Sequence, residues 1–258
     1  MEILLIVLVL AVVVFLVAKT QGRSTANRLD DAKADARQAI ERLGGQVFNL
    51  VGSDTASKQA LADASERYTA AGSQIDQADS PAQARLAKQT ALEGLYYIRA
   101  ARVAMNMDPG PEVPSLDGQK AAGTVTEDRE VDFEGRRVAA SPTPSNRTPN
   151  YYPGGRVAGR PVPAGWYSEP WWRPALVAGA WGMGSMFLFS AMFSGMAGVG
   201  YGAQEFESGA GDASQEIGDG MDGGEMSEAG DPGDMGGAGD MGDAGGGGDF
   251  FGDGFDLF

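Results

Sequence analysis

Thirty consecutive residues, Pro174 to Ala203, carry no charged side chain (PALVAGAWGMGSMFLFSAMFSGMAGVGYGA). As a soluble segment such a run would be a large exposed apolar surface. About 20 apolar residues cross a hydrocarbon core, and this run is longer. Trp166, Tyr167, Trp171, Trp172 and Arg173 precede it and Tyr201 lies near its far end, the arrangement of aromatic belts at two membrane interfaces. Six glycines between Gly179 and Gly200 would weaken a soluble helix but are tolerated in a membrane. The expectation is a transmembrane helix over 174–203. Ser190, Ser194, Gly198 and Gly202 recur every four residues, a small-residue stripe along which a second helix could approach.

A second apolar run, ILLIVLVLAVVVFLVA, covers Ile3 to Ala18. It reads as an uncleaved N-terminal anchor over residues 1–20. A signal peptide wants a basic start, and the only charge before the run is Glu2; a strand of this length would exceed the usual limit. Net charge, −15 overall, is distributed unevenly: all 20 Lys and Arg lie between Lys19 and Arg173, and the 15 acids after residue 204 face no base. The positive-inside rule then places residues 19–173 in the cytoplasm, with both ends outside. The expected localisation is multi-pass in the inner (cell) membrane, N-out and C-out, with the lipid bilayer as a partner.

Residues 21–107 read as a cytoplasmic helical bundle, a hairpin or three-helix coiled-coil-like unit. Leu29, Ala36, Ile40, Leu43, Val47 and Leu50 follow 3–4 spacing. Gly52-Ser53-Asp54 reads as a stop and a new cap, and Leu61, Ala64, Tyr68, Ala71 and Ile75 share one face of the next helix. Ser80-Pro81 with Gln83 forms a capping box that opens a third. Tyr96 and Tyr97 cannot both face one core. Arg99 and Arg102 could hold phosphate, but near-neutral charge argues against nucleic acid. Residues 108–173 read as a Pro/Gly-rich linker with an aromatic juxtamembrane segment. Within it, 125–141 fits a short β-hairpin turning at Glu134-Gly135. Ser141, Thr143, Ser145 and Thr148 are candidate phosphorylation sites there. Residues 204–258 have the composition of a disordered acidic Gly-rich tail, with diffuse, weak cation binding and no EF-hand spacing. Its end, DFFGDGFDLF, sets four Phe among acids, the pattern of a short docking motif.

The fold class expected is therefore mainly α, with two transmembrane helices. Cys and His are absent, which removes thiol nucleophiles, thiolate metal sites and His-based acid–base chemistry. No P-loop, nucleophile elbow or metal cluster occurs, so no catalytic, cofactor-binding or metal residue is assigned and no enzyme is expected. The segments MEILLIVLVL, RLDDAKADAR, ALADASERYTAAGSQI, ALEGLYYIRAARVAMNMDPGPE and RTPNYYPGGRVAGRPVPAGWYSEPWWRPALVAGAW resemble a set of actinobacterial membrane proteins that carry a domain of unknown function. The resemblance spans roughly residues 1–200 and implies membrane residence and an actinobacterial source; it implies no activity, cofactor or site residue. The functional expectation is a non-enzymatic membrane-anchored scaffold or adaptor acting through its helices, by self-association or with a protein partner. The alternative is an envelope-facing sensor or cation-responsive protein acting through the tail.

Overall fold

The structure, a computed structural model, describes residues 26–211. The expected anchor over 1–20 and most of the acidic tail lie outside these residues. Three helices come first: α1 over 26–47, α2 over Thr55–Asp76 and α3 over Pro81–Ala104. Each boundary between them has a local chemical cause. The Asp54 carboxylate accepts the Ser57 N–H at 2.9 Å, and Ser80 and Gln83 cap α3 reciprocally, with Pro81 in its first turn. Such caps satisfy donors that a helix start otherwise leaves open.

Cross-links fix the direction of the helices. Lys88 on α3 pairs with Asp35 on α1 at 3.0 Å, and Arg102 further along α3 reaches Gln46 further along α1 at 3.3 Å. So α1 and α3 run parallel, and α2 returns between them. The seam is built on alanine: Ala36, Ala60, Ala64, Ala84, Ala87, Ala91 and Ala101 are fully buried. Small residues let the helices approach closely, and Gly94 takes this furthest: a Cβ there would stand 2.3 Å from a methyl of Leu43. Tyr97 is buried, whereas Tyr96 turns outward and holds the following segment, its hydroxyl 3.2 Å from the Val113 carbonyl. Arg99 and Arg102 also hold that segment, donating to the carbonyls of Gly110 and Asp108 at 2.7 Å each. They staple the chain as it leaves α3.

The expected linker over 108–173 is folded. After a short α4 (Gln119–Ala122) come six strands: β1 (Arg129–Phe133), β2 (Arg136–Ser141), β3 (Asn150–Tyr152), β4 (Gly155–Val157), β5 (Arg160–Val162) and β6 (Gly165–Tyr167). They form a four-stranded sheet in the order β1-β2-β6-β3 and a separate β4-β5 pair, all antiparallel. Two hairpins turn on two residues of positive φ, Glu134-Gly135 (52° and 77°) and Ala158-Gly159 (44° and 80°). That is the type I′ geometry whose twist suits antiparallel strands. Pro161 sits opposite Arg156, one pair beyond the turn-closing pair. Ladder alternation makes this a non-hydrogen-bonded position, where a missing N–H costs nothing.

The uncharged run over 174–203 does not form a spanning helix. It breaks into α5 (Arg173–Ala178) and α6 (Ser185–Phe193), and is followed by α7 (Ala203–Ser208). Gly179, at φ 69°, ends α5, and Gly195, at φ 72°, follows the end of α6. The nine residues of α6 rise about 14 Å, less than half a hydrocarbon core. No helix among the described residues is long and apolar enough to cross a membrane. The structure thus contradicts the two-span fold class and the transmembrane helix over 174–203. It likewise gives no support to the multi-pass inner-membrane localisation with N-out, C-out orientation and residues 19–173 cytoplasmic. Among the described residues the chain is an α-and-β protein of seven helices and six strands.

The apolar side chains go instead into a second core. Leu188, Phe189, Met192, Phe193, Met196, Val199, Tyr201 and Phe206 pack with Val125, Val138, Tyr152, Tyr167 and Trp172. Trp166, Tyr167 and Trp172, read above as a membrane belt, are at most 5% exposed. Tyr167 donates its hydroxyl to the Pro163 carbonyl at 2.7 Å, which meets the polar requirement of a buried phenol.

Candidate functional site

Two concave features stand out. The first is a polar cavity of about 90 Å³ where α2 and α3 meet the sheet, lined in part by Asp63, Arg67, Glu93, Tyr97, Tyr151 and Arg173. Helical spacing sets its charges. Asp63, Glu66 and Arg67 lie one turn apart on α2, and Glu93 and Tyr97 one turn apart on α3. Arg173, at the start of α5, pairs with both Asp63 and Glu66 at 3.1 Å. Arg67 pairs with Glu66 at 2.8 Å and Glu93 at 3.5 Å. Burial lifts the Glu93 carboxyl above the usual carboxylate range, against the pull of Arg67, and burial lifts Asp63 likewise despite Gln59 and Arg173. Burial also pushes the Tyr151 phenol up to about 12. The cations and carboxylates here answer one another, which makes the cavity a clasp between helices and sheet.

The clasp has a testable pH signature. Glu93 binds its proton more tightly folded than unfolded, so its contribution falls as pH rises from the ordinary carboxylate value through the raised one. Glu93→Gln should remove that fall and be at least as stable as the parent at neutral pH. Arg67→Met should lose about 1–2 kcal/mol there, because it strands a poorly solvated carboxylate. Denaturant unfolding of both variants and the parent from about pH 4 to about pH 8 reads the difference.

The second feature is a groove of about 320 Å³ on the opposite chemistry, lined by aromatic and apolar groups that include Phe133, Trp171, Trp181 and Leu188, with Arg136 and Glu169 among them. Arg173-Pro174 starts α5, whose first turn forms one wall; Gly184, where a Cβ would meet the Phe133 ring at 2.9 Å, lets the start of α6 close onto β1. The floor is rigid: Trp181 donates its indole N–H to the Val157 carbonyl at 2.8 Å and packs at 5.6 Å from Trp171. The buried indole N–H of Trp171 has no hydrogen-bond partner, an uncommon state for a buried donor. On the segments that form its walls Val177, Met183 and Phe187 stand in solvent, Met183 at 98% exposure and Val177 at 84%.

No family model, curated protein or solved structure matches this chain. Its function must therefore be read from the site itself.

The residues singled out from sequence are not assembled as expected. Ser190 lies within α6 and Ser194 at its end. Gly198 sits beyond it, its carbonyl accepting the Thr124 N–H at 2.8 Å, and Gly202 precedes α7. They form no stripe, since no single helix carries them. Ser141 ends β2, and Thr143, Ser145 and Thr148 follow in the next loop; all four line a hollow of about 230 Å³ with Arg129 and Arg147. Ser141 and Thr148 are buried there, while Thr143 and Ser145 are exposed. The loop is held by its own hydroxyls, with Ser145 and Thr148 oxygens 2.8 Å apart. Among the described residues no three acidic side chains are placed to hold a metal ion. The aromatic groove itself was missed. Its signal is WYSEPWW followed by WGMGSMF, which match a bilayer interface and a transmembrane helix equally well.

Proposed function

We propose that this protein is a non-enzymatic adaptor that docks a protein segment in the aromatic groove, with the three-helix bundle as its rigid support. The observation that carries this reading is the groove's composition. Tryptophan and arginine are enriched at binding hot spots and methionine at interfaces, and here Trp171, Trp181 and Arg136 line one groove, with Val177, Met183 and Phe187 exposed on the neighbouring segments. The fixed Trp181 side chain and the short, glycine-bounded helices around it pre-order the surface, which limits the entropy lost on binding.

Photocrosslinking in cells tests the reading. A benzophenone side chain at Phe187 of the full chain should give light-dependent adducts to protein. A control placement at exposed Thr69 on α2 should give few. Val177→Asp with Met183→Asp, both on exposed residues, should lower the Phe187 yield at least fivefold. Equal yields at 187 and 69 would refute the proposal.

A further inference from the structure

We infer that a hollow near the C-terminal ends of α1 and α3 binds the terminal phosphate of a small phosphorylated molecule. The hollow shares no residue with the aromatic groove, so the inference stands apart from the adaptor reading. It encloses about 80 Å³, with Arg42, Gln46, Arg99 and Arg102 as its polar lining and Leu95 and Ile98 among its apolar residues. Arg99 and Arg102 lie one turn apart on α3, and the fold brings Arg42 to them from α1. One water needs about 10–15 Å³ of such space, so the hollow takes a group of several heavy atoms. That is the scale of one phosphate and not of a whole nucleotide.

Charge selects an anion. No carboxylate lines the hollow, and none of the three arginines takes part in an ion pair among the described residues. Glu41, Asp108 and Glu112 flank the site in sequence. Glu41 and Glu112 are exposed, and Asp108 turns its carboxylate to the Gly110 N–H at 2.7 Å. Each helix C-terminus presents about half a negative charge, so the two ends offset about one of the three cations and Asp108 at most a second. The hollow stays positive. The polar cavity beside the sheet differs, because there Arg67 and Arg173 each hold carboxylates. Like charges gathered on one hollow repel one another, and an anion among them reverses that cost.

Geometry leaves donors to hold the anion. A guanidinium carries five N–H donors in a planar fork. Arg99 commits its Nη1 to the carbonyls of Gly110 and Pro111. Arg102 commits its Nε to the Asp108 carbonyl and its Nη1 to Gln46 Oε1. Those bonds fix both side chains and leave the Nη2 group of each uncommitted. Gln46, its oxygen taken by Arg102, keeps its amide N–H groups as donors. Arg42 is exposed and makes no hydrogen bond among the described residues, so no stapling task accounts for its place in the lining. Two fixed forks and a third beside them form a largely preorganised set of charge-assisted donors. A phosphate monoester brings about −1.5 to −2 charge at pH 7 and three acceptor oxygens. It answers three forks more fully than a carboxylate, with one charge and two oxygens.

The test is calorimetric titration of phenyl phosphate into the purified full chain at neutral pH and constant ionic strength. Saturable one-to-one binding is expected. Arg42→Gln should weaken it about tenfold, the loss of one charge-assisted contact, and Arg42→Lys should restore only part, because it returns the charge without the fork. Both change an exposed, unpaired side chain, so the melting temperature should stay that of the parent and a lost affinity reports the site. Arg85→Gln, near the other end of α3, should bind as the parent does. Absence of binding, or equal binding by the parent and Arg42→Gln, would overturn the inference. Succinate displacing phenyl phosphate as effectively as inorganic phosphate does would overturn it in favour of a carboxylate ligand. Vesicles containing phosphatidic acid that capture the parent but not Arg42→Gln, with no binding of phenyl phosphate, would overturn it in favour of a lipid headgroup.

Discussion

Gly198→Val should lower the stability of this protein by about 3 kcal/mol or more, a large effect for one surface-sized side chain. A Cβ at Gly198 would stand 2.1 Å from the Thr124 carbonyl oxygen and 2.4 Å from the Thr126 methyl. The first of these is backbone, so it cannot swing aside. The two segments are also tied together, since Gly198 accepts the Thr124 N–H at 2.8 Å. That bond brings the end of the uncharged run against the strand-like segment that enters the sheet. Relief would require breaking this bond and shifting the lid of the second core. Were Gly198 part of one long apolar helix, valine would change only a packing surface and would raise the hydropathy of the segment. Equilibrium denaturation of the full chain separates the two cases.

Phe189→Ala should cost about 3–5 kcal/mol, the range for emptying a large buried aromatic site. Phe189 is 1% exposed. Its ring stacks on Phe206 at 4.2 Å and 7°, faces Tyr201 at 5.3 Å and meets Phe193 at 5.0 Å. It is the point where α6, α7 and the chain between them share one core, so truncation leaves a cavity that three elements line. At about 2–4 °C per kcal/mol for a body of this size, the melting temperature should drop by roughly 10 °C. Phe187, two residues earlier on the same helix, is 65% exposed; Phe187→Ala should stay within about 0.5 kcal/mol of the parent. The contrast between the pair is the signature of a helix lying on a core with one face in water.

How much of this was legible in the sequence depended on how local the cause was. The helix starts at Asp54 and Ser80 were readable because capping is decided within four residues. The division of labour between Tyr96 and Tyr97 followed from helical geometry, and the turn at Glu134-Gly135 from the positive φ that glycine accepts. The rest of the sheet was hidden for the opposite reason. β3, β4, β5 and β6 are three residues each, too short to show alternation, and the prolines in β5 and between the strands resemble a linker. Only pairing across the sheet, as of Tyr151 with Trp166, reveals them.

The largest error came from treating 174–203 by its total hydropathy. Gly179, Gly182 and Gly184 divide it before α6, and Gly195 and Gly198 divide it after. In a window average these positions only dilute the signal. In the structure they are where the chain turns or touches backbone. The aromatic residues flanking the run match a membrane belt equally well, and only the burial of Tyr167 and Trp172 with Val138 and Tyr152, and of Trp166 among the alanines of α2 and α3, shows that they close protein cores. The same misreading concealed the groove, because exposed Val177, Met183 and Phe187 had been given to lipid.

Residues 174–203 fold back as short helices over the sheet, and proton NMR on selectively labelled full chain tests this most directly. Nuclear Overhauser contacts are expected between the rings of Phe189 and Phe206 and between Tyr167 and Phe193, whose centroids lie 4.2 Å and 6.3 Å apart, with helical contacts interrupted at Gly179 and Gly195. An unbroken ladder of helical contacts from Pro174 to Ala203, with no ring contact to Tyr167 or Phe206, would contradict it.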